Sequence, residues 1–302
     1  MYISESLLKA THDDQGYVLV PDLIPSDLLP ALRAACDRVN AKTRTGAWPH
    51  RRTVGKQFPP FDDAHPDSWG VQHVMHPALG EPVFAQWYTS EGVRTVSAAL
   101  LGCDVGSLQM GRNAELINPL NHDFALRWHR DDVQENATPE EERKALASWS
   151  RGTYPSALYE DACLYLVPKS HKVPRTDEQR AHSTTLEPPR DPLAMPGAIR
   201  LVLQCKYMLT TLSITGETVF YNSNILHCAT YDAKQRRATL HATMGDTRGG
   251  STRARNVLQH GLEWMQEKRF RETLDEAGQR MLDALIEMRN GVQGEVGYSL
   301  TG

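Results

Sequence analysis

The chain lacks the marks of several protein classes. Nowhere does it carry eighteen consecutive apolar residues, so no membrane-spanning helix is expected. Charged residues make up 23% of it and the net charge is -4, with no basic stripe, which argues against nucleic acid as a partner. Cysteines are few and odd in number, five in all, spread out as Cys36, Cys103, Cys163, Cys205 and Cys228. No two form a CxxC pair, so neither a disulfide framework nor a cysteine zinc site is expected; reduced thiols in a cytoplasmic protein is the plain reading. There is no GxSxG elbow and no GxxxxGK loop; Gly249-Gly250-Ser251 reads as a turn. The opening MYISESLLKATHDDQGY lacks a basic start followed by an apolar run, and the closing GYSLTG matches no peroxisomal or prenylation signal. Repeats and low-complexity tracts are absent as well.

What is present is enough apolar material for a large core, 40% of 302 residues. Tyr17-Val18-Leu19-Val20 reads as a strand broken by Pro21 and Pro25. A helix capped by Ser26 then runs to about Asn40, burying Leu28, Leu29, Leu32, Cys36 and Val39. Residues 41–70 read as a long loop, and a second helix runs from a Ser90 cap to Leu101, with Gly102 as its stop. From about residue 105, short β-prone runs alternate with turns: 126–129, 163–167, 209–212, 218–221 and 238–241. Segments 137–150 and 176–195 are polar and read as loop or short helix, while 253–268 and 271–289 carry helical spacing. One domain spanning 1–302 is expected: a helical and loop part over 1–104, a β core over 105–250 and helices over 251–302.

The chemistry gathers around Trp128-His129-Arg130-Asp131-Asp132 and a distant Ile225-Leu226-His227. On a strand, residues i and i+2 share a face, so His129 and Asp131 can offer an imidazole and a carboxylate to one ion. His227, delivered by the strand after Gly216-Glu217, would complete two histidines and a carboxylate on one face of an octahedron. Three positions stay open, as an oxygen-activating iron requires. Each piece is weak alone, since 12 histidines make chance pairing with an acid common. The order along the chain strengthens the set. Ten residues after His227 stands Arg237, which can fork to the distal carboxylate of a 2-oxoglutarate chelating the metal. Alternation places Arg237, Thr239 and His241 on one face, which favours Arg237 over its neighbour Arg236.

At these residues the chain resembles the phytanoyl-CoA dioxygenase-like family, in particular a group common in fungi. Gly16-Tyr17-Val18 through Leu29 resembles the family's opening strand and helix, and Trp128 to Asp132 its first metal motif. Leu164-Tyr165-Leu166-Val167-Pro168-Lys169-Ser170-His171 is similar to its strand ending in Pro-Gly-Ser-His, and Phe220-Tyr221-Asn222 to His227 with Arg237 to its second motif. The resemblance covers most of residues 16–250. It implies a double-stranded β-helix (a jelly roll, cupin-like) within a β-rich α+β fold. It also implies Fe(II), 2-oxoglutarate and dioxygen, acting on a small-molecule substrate, with no nucleic-acid or membrane partner. Departures cluster around the expected pocket: Lys169 in place of Gly, Cys228-Ala229 after His227, and the segments Met110–Glu115 and Gly152–Ser156.

Other residues are expected in plainer roles. His171 reads as a turn residue, His122 and Asp123 as loop, and Trp128 as core. Asp132 is expected to point away from the metal and to steady a ligand histidine. His73 and His76 read equally as packing residues or as substrate contacts. The expected activity is oxidation of an unactivated C–H bond by hydroxylation, desaturation or cyclisation. The absence of a basic cluster for CoA phosphates points to a secondary metabolite. The rivals are a dioxygenase-like subunit without turnover of its own and a metal-dependent isomerase or hydrolase. A homodimer and a heterodimer are both compatible with the sequence.

Overall fold

The computed structural model describes residues 4–55, 67–148, 152–156, 164–185, 187–201, 218–235, 238–258 and 262–294. The first elements in chain order are α1 (Glu5–Gln15), β1 (Tyr17–Val20), α2 (Leu29–Arg44), β2 (Arg51–Thr53), β3 (Ser68–Gln72), α3 (Val83–Tyr88) and α4 (Glu91–Leu101). Then come β4 (Leu108–Ile117), β5 (Phe124–Ala125), α5 (Pro139–Ser148), β6 (Gly152–Ser156), β7 (Leu164–Leu166), α6 (Asp177–Ser183) and β8 (Ile199–Arg200). The last are β9 (Thr218–Asn222), β10 (His227–Tyr231), β11 (Ala238–Asp246), α7 (Gly250–Leu258), α8 (Lys268–Arg271) and α9 (Glu276–Asn290).

The strands form two antiparallel sheets. A seven-stranded sheet has the order β1-β9-β6-β11-β4-β3-β2, and a four-stranded sheet the order β5-β10-β7-β8. Alternation gives the large sheet two faces with different neighbours. On its outer face Val71, Leu240 and Met244 join Phe84 of α3, Val257 of α7 and Leu285 of α9 in one buried cluster. Burying one such side chain contributes about 1.5–3 kcal/mol. On its inner face Leu116 meets Leu126, Ala229 and Tyr231 from the small sheet's side. Val219 and Tyr221 likewise meet Leu166 and Ile225. The space between the sheets is where the inward-facing polar residues lie.

Several expectations need correction. The helix expected from Ser26 starts at Leu29 instead, with Pro30 in its first turn, and runs on to Arg44. The long loop expected over 41–70 yields β2 and β3 at its two ends, so part of the N-terminal third belongs to the large sheet. The run 126–129 is not a strand: regular pairing stops at Ala125, and His129 makes only an isolated bridge. The polar stretches 137–150 and 176–195, expected as loop or short helix, do carry short helices, α5 over 139–148 and α6 over 177–183. An unforeseen helix, α1, is closed by Ser4, whose hydroxyl accepts from Leu7 N at 3.3 Å, and by Gly16 at φ 83°. α4 does occupy the expected span between Ser90 and a left-handed Gly102. The run 209–212 lies outside the described residues.

One buried carboxyl has a measurable consequence. Glu115 lies on the outer face under α2, where Asn40 Nδ2 donates to its Oε1 at 2.9 Å. Burial raises its pKa from the usual 4.5 to about 8, only partly offset by Asn40 and Cys36. The folded chain then holds a proton there that the unfolded chain releases above about pH 4.5. This contribution to stability is therefore complete below that pH and is lost as pH rises towards 8. Glu115→Gln should flatten the stability slope across that window by roughly 1 kcal/mol per pH unit. Urea unfolding at a series of pH values measures it, and parallel slopes in the two proteins would count against the assignment.

Candidate metal centre

The centre starts from a main-chain contact between two distant segments. His129 N donates to His227 O at 2.9 Å and His227 N donates to His129 O at 3.0 Å. Residues that exchange both bonds stand directly opposite and share a face, so the two imidazoles project together. Their ring centroids are 4.3 Å apart. After His129 the chain bends at once. Arg130 bridges Val133, and the turn between them carries Asp131, whose N–H donates to Ser223 O at 3.1 Å. Asp131 thus reaches the histidines from a turn, not from an extended strand. Its Oδ1 lies 3.5 Å from His129 Nε2 and 4.0 Å from His227 Nε2. One ligand atom from each of the three residues falls within 4.8 Å of the others, and among the described residues they form the one such group.

Proton placement suits a metal. His129 Nδ1 bonds Arg127 O at 2.8 Å, and His227 Nδ1 bonds Ile225 O at 2.8 Å. A carbonyl only accepts, so each Nδ1 carries the hydrogen and each Nε2 presents a lone pair. Burial, reinforced by His129, lowers the His227 pKa to about 4, which keeps that ring neutral at ordinary pH. Burial alone would raise the Asp131 pKa, but the adjacent His129 side chain outweighs it and holds the carboxyl ionised. Two imidazoles and one carboxylate are the donor set of a facial iron(II) site. Asp131 keeps 20% of its side chain exposed, which leaves one side of the group open.

The neighbours of the ligands are held by a network that local sequence reading missed. Arg130 points away from the metal side into the protein. Its Nε donates to Glu142 Oε1 at 2.8 Å, and its Nη atoms donate to Ser170 O at 2.8 Å, to Val173 O at 3.0 Å and to Asn224 O. Ser170 Oγ in turn accepts from Leu226 N at 2.8 Å. One guanidinium therefore joins the two ligand segments to the 168–173 loop. Glu142 is fully buried and also receives Arg175 Nε at 3.0 Å and Arg180. The available signal was the alternation that turns Arg130 away from His129 and Asp131; its partner in a polar helix had none.

The remaining expected residues fall as follows. Thr239 lies on the inner face, opposite Leu116. Arg236 and Arg237 lie outside the described residues. Asp132 does not hold a ligand ring in the described contacts, because both Nδ1 atoms bond carbonyls; Ser223 Oγ donates to it at 3.0 Å instead. His171 packs against Gly16 and bonds Asp13 O at 3.2 Å, well apart from the centre. His122 is tied to Asp67 at 3.0 Å, and Trp128 is core. His73 and His76 pack with His50, Trp48 and Trp264 in an aromatic group. Tyr221 was read only as strand, yet its ring is 5.3 Å from His227 and its hydroxyl 3.0 Å from His241 Nε2.

Residues 12–238 match the phytanoyl-CoA dioxygenase (PhyH) family, and the chain belongs to that family. Iron(II), 2-oxoglutarate and dioxygen are the cofactors that membership brings, and the donor set of the centre suits them. No curated protein matches the sequence. Among solved structures the fold is similar to EctD from S. alaskensis with 2-oxoglutarate and 5-hydroxyectoine, at TM-score 0.58 and 17% identity over 82% of this chain and 78% of that one. AviO1 from Streptomyces viridochromogenes Tue57 aligns at 0.53 and 15% over 82% and 96%. The epimerase SnoN in complex with Fe3+, alpha ketoglutarate and nogalamycin RO aligns at 0.51 and 16% over 80% and 84%. These likenesses support a jelly-roll type of fold built from the antiparallel sheets described above.

Removing Glu142 would leave three guanidinium groups around a buried hole. Losing one member of a buried ionic group typically costs about 3–5 kcal/mol. Glu142→Ala should therefore lower the unfolding free energy by that order, read by denaturant titration. A loss under about 1 kcal/mol would show that the network is not a structural hub.

Proposed function

We propose that this chain is an Fe(II)/2-oxoglutarate-dependent dioxygenase that oxidises an unactivated C–H bond of a small organic molecule, by hydroxylation, desaturation or cyclisation. The observation that carries the reading is the convergence of His129 Nε2, His227 Nε2 and the Asp131 carboxylate, with both Nδ1 hydrogens already engaged. Iron(II) held there, with 2-oxoglutarate as the two-electron donor, supplies the activation of dioxygen that such a bond requires. The protein's part is to hold the three ligands on one side and to leave the other open. Arg237, with Arg236 as its neighbour and Thr239 on the inner face, takes the distal carboxylate of 2-oxoglutarate. The double-stranded β-helix is the form of jelly roll that goes with this reading.

A secondary metabolite is the substrate class favoured here. The segments that depart from the family's usual pattern, 110–115 and 152–156, belong to β4 and β6 of the large sheet. Arg112, on the inner face, is the residue of these segments best placed to alter the pocket, and the candidate metal ligands lie outside both.

His129→Ala and His227→Ala should each abolish succinate formation from 2-oxoglutarate and weaken Fe(II) binding, as read by a coupled succinate assay and by metal titration. Retention of full turnover in either protein would sink the ligand assignment. Arg237→Ala should raise the apparent KM for 2-oxoglutarate by about tenfold or more, in line with the loss of a charge-assisted fork, while Fe(II) binding stays as it was. An unchanged KM would transfer the role to Arg236 or elsewhere.

A further inference from the structure

The inner face of the large sheet carries two arginines that the family reading does not use. The register sets out a row across four strands: Arg52 of β2 opposite Gly70 of β3, Gly70 opposite Leu116 of β4, and Leu116 opposite Thr239 of β11. Directly opposed residues share a face, and Leu116 packs onto the small sheet's side, so the whole row looks into the space between the sheets. The Arg52 side chain runs along this row. A Cβ added to Gly70 would lie 3.0 Å from Arg52 Cδ and 3.3 Å from its Cβ and Cγ. Gly70 therefore clears the path the arginine follows. The guanidinium carbon stands 5.0 Å from the Trp69 ring centre, a cation–π contact that fixes the end of the side chain. Trp69 is itself the extra residue where the β2–β3 register shifts, and its Nε1 donates to Thr53 O at 2.8 Å.

Arg112 shares the inner face. It lies two residues before Ala114, which stands opposite His241. At the bulge beside it, Arg112 N donates to Thr243 Oγ1 at 2.9 Å, and Gly111 sits so close to Thr243 that a Cβ there would meet its carbonyl oxygen at 2.2 Å. The charges of Arg52 and Arg112 are both felt at His241, where burial is the larger effect and the pKa falls to about 3. The charge of Arg112 is felt at Asp131 as well. A polar strip thus runs from the arginines through His241 and the Tyr221 hydroxyl to the ring of His227.

We propose that Arg52 and Arg112 form a carboxylate-binding subsite on the inner face of the large sheet, facing the metal centre. Guanidinium groups match the planar, two-oxygen geometry of a carboxylate. The inference rests on the reading of His129, Asp131 and His227 as the metal site and adds an anionic group to what the pocket receives. That carboxylate belongs either to the organic substrate or, if Arg237 does not hold it alone, to the distal end of 2-oxoglutarate.

The test uses Arg52→Met, Arg112→Met and Gly70→Ala; the last displaces the Arg52 stem without removing its charge. The anaerobic Fe(II) protein is titrated with 2-oxoglutarate and with 2-oxopentanoate, which lacks the distal carboxylate. Acetate is then titrated into the iron-free protein and into the Fe(II)–2-oxoglutarate protein, followed by broadening of its methyl NMR signal. If the subsite holds the cosubstrate, the variants weaken 2-oxoglutarate binding about tenfold and leave 2-oxopentanoate unchanged. If it holds the substrate's group, 2-oxoglutarate binding is unchanged, and acetate broadening seen with the parent protein is lost in the variants. Arg52→Lys, which keeps the charge, should restore part of either effect, and a variant that fails to fold is replaced in the comparison by Gly70→Ala. Variants that bind both ligands as the parent does would overturn the proposal, as would a parent that broadens no acetate while its 2-oxoglutarate affinity is insensitive to the substitutions. The iron-free acetate titration reads the arginines even if the metal assignment fails, so the two failures are distinguishable.

Discussion

The centre depends on one pair of main-chain hydrogen bonds. The exchange between His129 and His227 places both imidazoles on one face, and everything else nearby adjusts to that pair. Asp131 can join only because the chain turns immediately after His129. Arg130 can cross to the other ligand segment only because the same turn sends it the opposite way. His227 is held in the β10–β7 ladder, but on the other side regular pairing ends at Ala125 and the bridge is isolated, so side chains reinforce the geometry there. Buried Glu142 and its three arginines supply that hold.

The two sheets divide the work. The outer face of the large sheet is occupied by helices and serves packing, with Glu115 and Asn113 among the few polar residues buried there. The inner face collects the polar groups: Arg52, Arg112, Thr239, His241 and Tyr221. Opposite them the small sheet's side brings the histidines. A reaction between these faces would be bounded by a basic, hydrogen-bonding wall on one side and the metal ligands on the other. That asymmetry is what the altered 110–115 segment contributes, since Arg112 belongs to it.

Much of this was legible in the sequence, for identifiable reasons. β9 and β11 were readable because their alternation is regular and their flanks carry turn residues, and α4 because Ser90 and Gly102 punctuate it. The three candidate ligands were named from spacing, from their order and from the resemblance to the phytanoyl-CoA dioxygenase-like family. The strand expected at 126–129 is only partly realised: Leu126 and His129 keep main-chain bonds to β10, but the pairing is too irregular to carry β5 beyond Ala125. α1 escaped because its polar residues outweigh a thin apolar stripe, and α5 was left between loop and short helix for the same reason; tertiary contacts decide such helices. The nearness of Arg52 to Gly70 and the convergence of Arg130 on Glu142 have no local signature. They arise from cross-strand register and from the meeting of inserted helices, which a linear pattern does not encode.

His129 and His227 also stand roughly a hundred residues apart along the chain, and that separation bears on how the protein is made. Closing so long a loop loses chain entropy that only the surrounding sheet and helix contacts can offset. The ligand pair therefore depends on those contacts being in place. In small zinc modules the ion organises an otherwise unfolded chain. Here the ion would meet ligands already fixed in place, and the chain's capacity for metal becomes a report on whether β10 has found its place beside β5 and β7.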